Sequence, residues 1–190
     1  MIKALDTVYR GHKFRSRLEA KWAIFFDEVG IAFQYEPDGY KLSNGMFYLP
    51  DFFIPSWDSF VEIKPNNRFV YNDKCFYLAR DSGKKVIMFA GEPYAYGILD
   101  SCTESHYRTA IFYPDGGVDC GILESCDGPI VLRICQECGG FTLTDNRDNH
   151  EHLGEPKGDR CFERLGYFDS KLLSAYTHAS QARFEHGEKP

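Results

Sequence analysis

The stretch YLPDFFIPSWDSFVEIKP, residues 48–65, sets two carboxylates and an amine among aromatic and branched apolar residues. Asp51 follows Pro50 at the head of one β-like run, and Glu62 and Lys64 close the next. Side chains alternate along a strand, so Phe60, Glu62 and Lys64 share one face while Val61 and Ile63 take the other. The turn-forming PSWDS at 55–59 folds the first run back on the second and carries Asp51 toward the same region. Two convergent carboxylates attract a hard divalent cation such as Mg²⁺, which keeps several waters for substrate phosphates. The adjacent ammonium can hold or activate an attacking water, or neutralise charge on a pentavalent phosphate. The competing explanation is an edge hairpin whose charges face water and discourage aggregation.

A second group of chemistry-bearing residues lies downstream. CQECGG places Cys135 and Cys138 in a Cys-x-x-Cys knuckle, with His150, His152 and Cys161 following at spacings that can close a tetrahedral zinc site. Cys135, Cys138, His152 and Cys161 are the favoured ligands, with His150 as the substitute histidine. Residues 135–161 hold few apolar side chains, and metal binding can supply the folding energy that such a segment lacks. A redox role is disfavoured because this Cys-x-x-Cys does not open a helix after a buried strand. Cys75, Cys102, Cys120 and Cys126 have no regular spacing and read as ordinary thiols. Seven cysteines, an odd number, in a chain whose first residues lack an apolar leader core argue against a disulfide framework and for a cytoplasmic protein. No apolar run is long enough to suggest a membrane span.

The elements that must position these residues are readable from periodicity. In FRSRLEAKWAIFFDEV, residues 14–29, Phe14, Leu18, Trp22, Phe25 and Val29 recur at helical spacing. GHKF marks the entry to this helix and Gly30 its exit. Glu19 sits beside the apolar stripe, at the margin of the buried face. IAFQYEP, MFYLPDFFI and FVEIK alternate or cluster as strands of an antiparallel meander. A helix from about 72 to 80, ended by Ser82 and Gly83, precedes VIMFAG, a short apolar run of the kind that forms a buried parallel strand. Short β-like segments are expected at 107–113, 118–124 and 130–134, and a helix over 170–184. Tyr9, Tyr35, Tyr40, Trp57 and Tyr71 could stack on bases, but at their spacings they are expected in the core or on sheet faces.

Composition narrows the class. With 43% hydrophobic and 16% aromatic residues in 190, the chain is expected to fold as one domain, or as a domain with a small module, and not to be disordered. The net charge of −6 argues against general nucleic-acid affinity. The charge is uneven, however. Residues 1–21 carry Lys3, Arg10, Lys13, Arg15, Arg17 and Lys21 against Asp6 and Glu19 alone, and residues 65–85 carry Arg68, Lys74, Arg80, Lys84 and Lys85 against Asp73 and Asp81.

Glu19, the Pro-Asp at 50–51 and Glu-Ile-Lys at 62–64 together resemble the PD-(D/E)xK nuclease superfamily. The nearer likeness, over residues 9–65, is to the Holliday-junction resolvases of the phage endonuclease I type. The resemblance implies an α/β fold with a restriction-endonuclease-like core of helix, antiparallel meander, helix and strand. It implies that Asp51, Glu62 and the Ile63 carbonyl bind Mg²⁺ or Mn²⁺, that Lys64 is the catalytic lysine, and that Glu19 is an outer or second-metal ligand. The product ends would be a 5′-phosphate and a 3′-hydroxyl. Pro65 stands where such enzymes often carry glycine, and the chain beyond residue 92 has no counterpart in the resolvases. The expected organisation is a nuclease core at 1–91, a β-rich extension at 92–134, and a zinc-binding module with a C-terminal helix at 135–190. DNA is the expected partner, gripped by Lys13, Arg15, Arg17, Lys21 and Arg68; a homodimer and a protein contact through the zinc module are further associations that this organisation admits. The alternative function is a non-catalytic DNA- or protein-binding factor of a phage or mobile element, built on a nuclease fold.

Overall fold

The computed structural model describes residues 6–65, 72–93, 109–119, 131–144, 150–155, 157 and 170–184. In chain order the elements are β1 (Thr7–Tyr9), β2 (His12–Phe14), α1 (Arg17–Val29), β3 (Gln34–Tyr35), β4 (Tyr40–Lys41), β5 (Phe47–Tyr48), β6 (Phe52–Ile54), β7 (Ser59–Lys64), α2 (Asp73–Ser82), β8 (Lys85–Ala90), β9 (Thr109–Phe112), β10 (Val118–Asp119), β11 (Val131–Ile134), β12 (Phe141–Thr144), β13 (His150–His152) and α3 (Ser170–Gln181). The architecture is mixed α/β. A six-stranded sheet runs β10-β9-β8-β7-β6-β3, with β7 and β8 parallel across α2 and the other neighbours antiparallel. The parallel pairing agrees with the expectation for VIMFAG.

Helix α1 begins differently from the sequence expectation. Gly11 is not the helix entry. It forms, with Arg10, the two-residue turn of the β1–β2 hairpin, both at positive φ (45° and 82°) as a tight hairpin turn of this kind requires. Phe14 therefore belongs to β2, fully buried, and the N-cap is Ser16. Its hydroxyl accepts from the Glu19 amide at 3.1 Å and donates to Glu19 Oε1 at 2.7 Å, a reciprocal cap that satisfies an otherwise orphaned helix amide. Gly30 ends the helix in the left-handed conformation, as its position predicts.

The strand alternation of β7 and β8 sorts the core into two layers. Val61, Ile63, Ile87 and Phe89 face α1 and α3, where Trp22, Phe25, Phe26 and Tyr176 close over them. Phe60, Val86 and Met88 face the other way, under Cys75, Leu78 and Ala79 of α2 and Leu42 and Tyr48 of the small β4–β5 sheet. The buried side of α1 is wider than the stripe at Phe14, Leu18, Trp22, Phe25 and Val29. Ile24 and Phe26 are buried too: the Phe26 ring packs against Phe33, Phe52 and Trp57, while α3 covers Phe25, whose ring stacks on Tyr176 at 4.4 Å. Each such fully buried side chain stabilises the fold by roughly 1.5–3 kcal/mol.

The other expected elements shift at their ends. Helix α2 runs past residue 80 to Ser82, whose hydroxyl donates to the Leu78 carbonyl at 2.6 Å, and Gly83 caps it. Helix α3 stops at Gln181, short of 184, and Ala182 and Phe184 leave it to pack on the core. Residues 92–134 are divided: β9 and β10 extend the main sheet, whereas β11 pairs with β12 and β13 in a separate three-stranded sheet. Tyr71 and most of the segment 118–124 lie outside the described residues, while Tyr9 and Trp57 are buried and Tyr35 and Tyr40 half-buried, as core or sheet-face residues. No helix among the described residues is long and apolar enough to cross a membrane.

Candidate functional site

Strands β6 and β7 pair Phe52 with Val61, Phe53 with Phe60 and Ile54 with Ser59. The same register places Asp51 opposite Glu62, one step past the end of the ladder. There the backbone pairing gives way to a side chain: Asp51 Oδ2 accepts the Ile63 amide at 2.7 Å. The site lies at the carboxyl ends of the parallel pair β7 and β8, a usual place for ligands in sheets with a crossover helix. Asp51, Glu62 and Lys64 are thus together, as the hairpin predicts.

Glu62 is 4% exposed. Its Oε1 receives the Lys64 ammonium, while its Oε2 is buried without a hydrogen bond of ordinary geometry, the Tyr48 hydroxyl being near enough to interact with the carboxylate. A buried carboxylate oxygen of this kind is costly unless a cation completes it. The Asp51 carboxyl is pushed up from 3.8 to about 8, first by burial and then by the Glu62 charge, with Glu19 adding to it; the Ile63 amide and Lys64 act in the opposite direction. Burial disfavours the charge on Lys64, but the charge and hydrogen bond of Glu62, with Asp51 behind it, outweigh burial and hold the ammonium protonated.

Two residues at this site escape the sequence patterns. Tyr48 and Cys75 form part of the wall: the Tyr48 hydroxyl lies 3.9 Å from Cys75 Sγ. Burial, then Cys75, then the charge of Glu62 and a side-chain hydrogen bond with it, raise the Tyr48 pKa well above its ordinary value, and burial followed by Glu62 raises that of Cys75. Both remain neutral groups facing charged ones. Tyr48 could have been found from its place three residues before Asp51 on an inward-facing strand position. Cys75 could not, because only the α2 crossover brings it over β7.

Glu19 has another task. Its Oε1 takes the Ser16 hydroxyl and its Oε2 the Tyr35 hydroxyl at 2.6 Å. It stands on the helix that covers the Val61 and Ile63 face, opposite the face that carries Glu62, and reaches the site as a negative charge felt by Asp51. The expected DNA-gripping cations divide similarly. Lys13 pairs with Asp6 at 2.6 Å, Arg15 pairs with Glu36, and Lys21, only 14% exposed, pairs with Glu92 at 2.6 Å and donates to the Ser180 carbonyl at 2.7 Å. Lys21 therefore links α1 to α3. Arg17 is exposed. Arg68 lies outside the described residues.

The Cys-x-x-Cys knuckle is formed. The ligand atoms of Cys135, Cys138 and His152 lie within 4.8 Å of one another, and this group could hold a metal ion. Cys138 Sγ and His152 Nε2 are 3.1 Å apart. The Gly140 amide reaches Cys138 Sγ at 3.4 Å, and a Cβ at Gly140 would come within 3.0 Å of the His152 ring, so the second glycine of the knuckle makes room for the ligands. His152 Nδ1 faces the Gly154 carbonyl at 3.4 Å. An outer contact of this type orients a ligating imidazole so that Nε2 is free for metal. Cys161 and the side chain of His150 lie outside the described residues. The knuckle sits at the turn end of the β6–β7 hairpin, away from Asp51. Gly154, at φ +83°, is so close to the Ser56 carbonyl that a Cβ would lie 2.2 Å from it, and the Phe141 and Trp57 rings are 6.0 Å apart. A groove of about 890 Å³ runs between Trp57, Asp58, Lys84, Cys138 and His152.

No family model, curated protein or solved structure matches this chain.

Proposed function

We propose that the chain is a metal-dependent endonuclease of the PD-(D/E)xK kind that hydrolyses phosphodiester bonds in DNA. The observation that carries this is the pair of buried carboxylates, Glu62 with an oxygen that lacks a hydrogen bond of ordinary geometry and Asp51 resisting ionisation, beside a protonated lysine. Hard oxygen donors in a charge-crowded pocket fit Mg²⁺ or Mn²⁺, with Asp51 and Glu62 as ligands and the Ile63 carbonyl as a further one. The ion would supply charge neutralisation and an acidified water. Asp51 is aimed by the Ile63 amide, and Lys64 presents its ammonium where negative charge gathers on the attacked phosphate. Attack by water with departure of the 3′ oxygen leaves a 5′-phosphate and a 3′-hydroxyl. The order α1, meander, α2 and β8 supports a restriction-endonuclease-like core, and the Cys135, Cys138 and His152 cluster is consistent with structural Zn²⁺.

The neutralisation of Lys13, Arg15 and Lys21 by acids favours a second reading, a non-catalytic binding factor. One assay separates the two. Linear, nicked, supercoiled and four-way-junction DNA are incubated with the protein and Mg²⁺ or Mn²⁺, with an EDTA control. Cleavage is expected only with metal, and Asp51→Ala and Lys64→Ala are expected to abolish it while the far-UV circular dichroism is unchanged. Cleavage by Asp51→Ala at the parent rate would sink the site assignment.

A further inference from the structure

The β4–β5 hairpin adjoins the carboxylates through Tyr48. Its two cross-strand pairs are Tyr40 with Tyr48 and Lys41 with Phe47. Strand alternation sends the first pair inward, where Tyr48 reaches the neighbourhood of Glu62 and Cys75, and the second pair outward. Phe47 is 76% exposed, more than any other large apolar residue among those described. Its position is firm: Leu42 is buried at 2%, and the Ser43 amide donates to Asp81 of α2 at 2.7 Å.

Two lysines belong to this hairpin's surroundings, one on each side of it, with Asp81 occupied by the Ser43 amide. Lys41 stands directly across from Phe47, and the Lys74 ammonium, at the start of α2, lies 5.6 Å above the Tyr48 ring. Neither lysine has an acidic partner among the described residues, in a chain of net charge −6 where Lys13, Arg15, Lys21, Lys64 and Lys84 all pair with acids. An exposed aromatic with one lysine across from it, and a second over Tyr48 on the inward side of the same hairpin, has the chemistry of a single-strand platform: the ring stacks on a base and the cations follow the backbone. A closed duplex offers no free base face to such a ring.

We propose that Phe47, with Lys41 across from it, stacks on an unpaired base of a DNA strand that passes Lys74 toward the carboxylates, and so gives the chain a preference for strands with a free base face. The inference rests on the nuclease reading for the identity of the polymer.

The test is binding without cleavage, by fluorescence anisotropy with the full chain carrying Asp51→Asn, on one sequence presented as single strand and as blunt duplex. Adding Phe47→Ala is expected to weaken single-strand binding about 5- to 100-fold and duplex binding by less than about twofold. Phe47→Trp should keep single-strand affinity and show indole emission quenched by the DNA. Lys41→Ala and Lys74→Ala should weaken both substrates and each reduce the salt slope by about 0.7–0.9. Single-strand affinity unchanged in Phe47→Ala, or no single-strand binding by the parent, overturns the proposal. So does self-association, seen by light scattering, that disappears with Phe47→Ala, which would make the patch a protein contact. Cleavage is read separately with Asp51 restored: a chain that does not cut yet binds through Phe47 loses the nuclease reading alone, and a chain that cuts with Phe47 irrelevant loses only this one.

Discussion

Replacing Asp51 with Asn should stabilise the metal-free protein, and the gain should depend on pH. Asp51 holds its proton more tightly in the fold than in the unfolded chain, where the value is near 3.8. Such a group favours the fold fully at acid pH, and that contribution is lost as pH rises toward about 8. A carboxyl moved from 3.8 to about 8 corresponds to roughly 5–6 kcal/mol if it ionises alone. Burial is the largest cause and the Glu62 charge the next; relaxation and water entry relieve part of such a penalty, so removing the Asp51 charge should recover about 2–4 kcal/mol at pH 9. Asn keeps an oxygen for the Ile63 amide, which limits the loss from the substitution itself. For a chain of this size the gain is roughly 5–15 °C in Tm. Thermal melts of parent and variant at pH 4 and pH 9 measure it: near coincidence at pH 4 and a clear gap at pH 9 are expected. Adding Mg²⁺ at pH 9 should raise the parent toward the variant and leave the variant nearly unmoved. A variant that is less stable at pH 9, or equally stabilised at both pH values, would refute the charge-crowding account of the pocket.

Two further outcomes concern the knuckle. Gly154→Ala should destabilise the protein by about 2–4 kcal/mol in urea melts, since a methyl group cannot occupy the space 2.2 Å from the Ser56 carbonyl at a left-handed φ. Purified parent protein should carry one equivalent of zinc by mass spectrometry, and Cys138→Ser should carry less than about a tenth of that and show altered Trp57 emission, because the ring abuts Phe141 of the same module.

The charged hairpin is legible in the sequence because its parts are local. Alternation places Glu62 and Lys64 on one face, a five-residue turn returns Asp51 to them, and no distant contact is needed. The knuckle is legible for the same reason, through its spacing and paired glycines. What depends on tertiary packing is not legible. Glu19 looks like a ligand from its place on the helix margin, yet its oxygens are held by Ser16 and by Tyr35, a partner 16 residues away. Lys21 looks like a phosphate cation, but α3, far along the chain, supplies the Ser180 carbonyl it binds. The helix entry is misplaced at Gly11 because a glycine marks a hairpin turn and a helix start equally well, and only the pairing of β1 with β2 decides between them.

The return of α3 to α1 has a consequence for how the chain is organised. After β10 the backbone leaves the main sheet, builds the three-stranded unit that holds Cys135, Cys138 and His152, and then comes back to lay Leu172, Ala175 and Tyr176 on the first helix. The unit that could hold a metal ion therefore lies in sequence between two parts of the chain that share the main core. Ordering this unit shortens the free loop that must close before α3 can dock. A cut placed upstream of residue 135 would remove the cysteine-bearing sheet and also uncover Phe25, whose ring stacks on Tyr176 of α3.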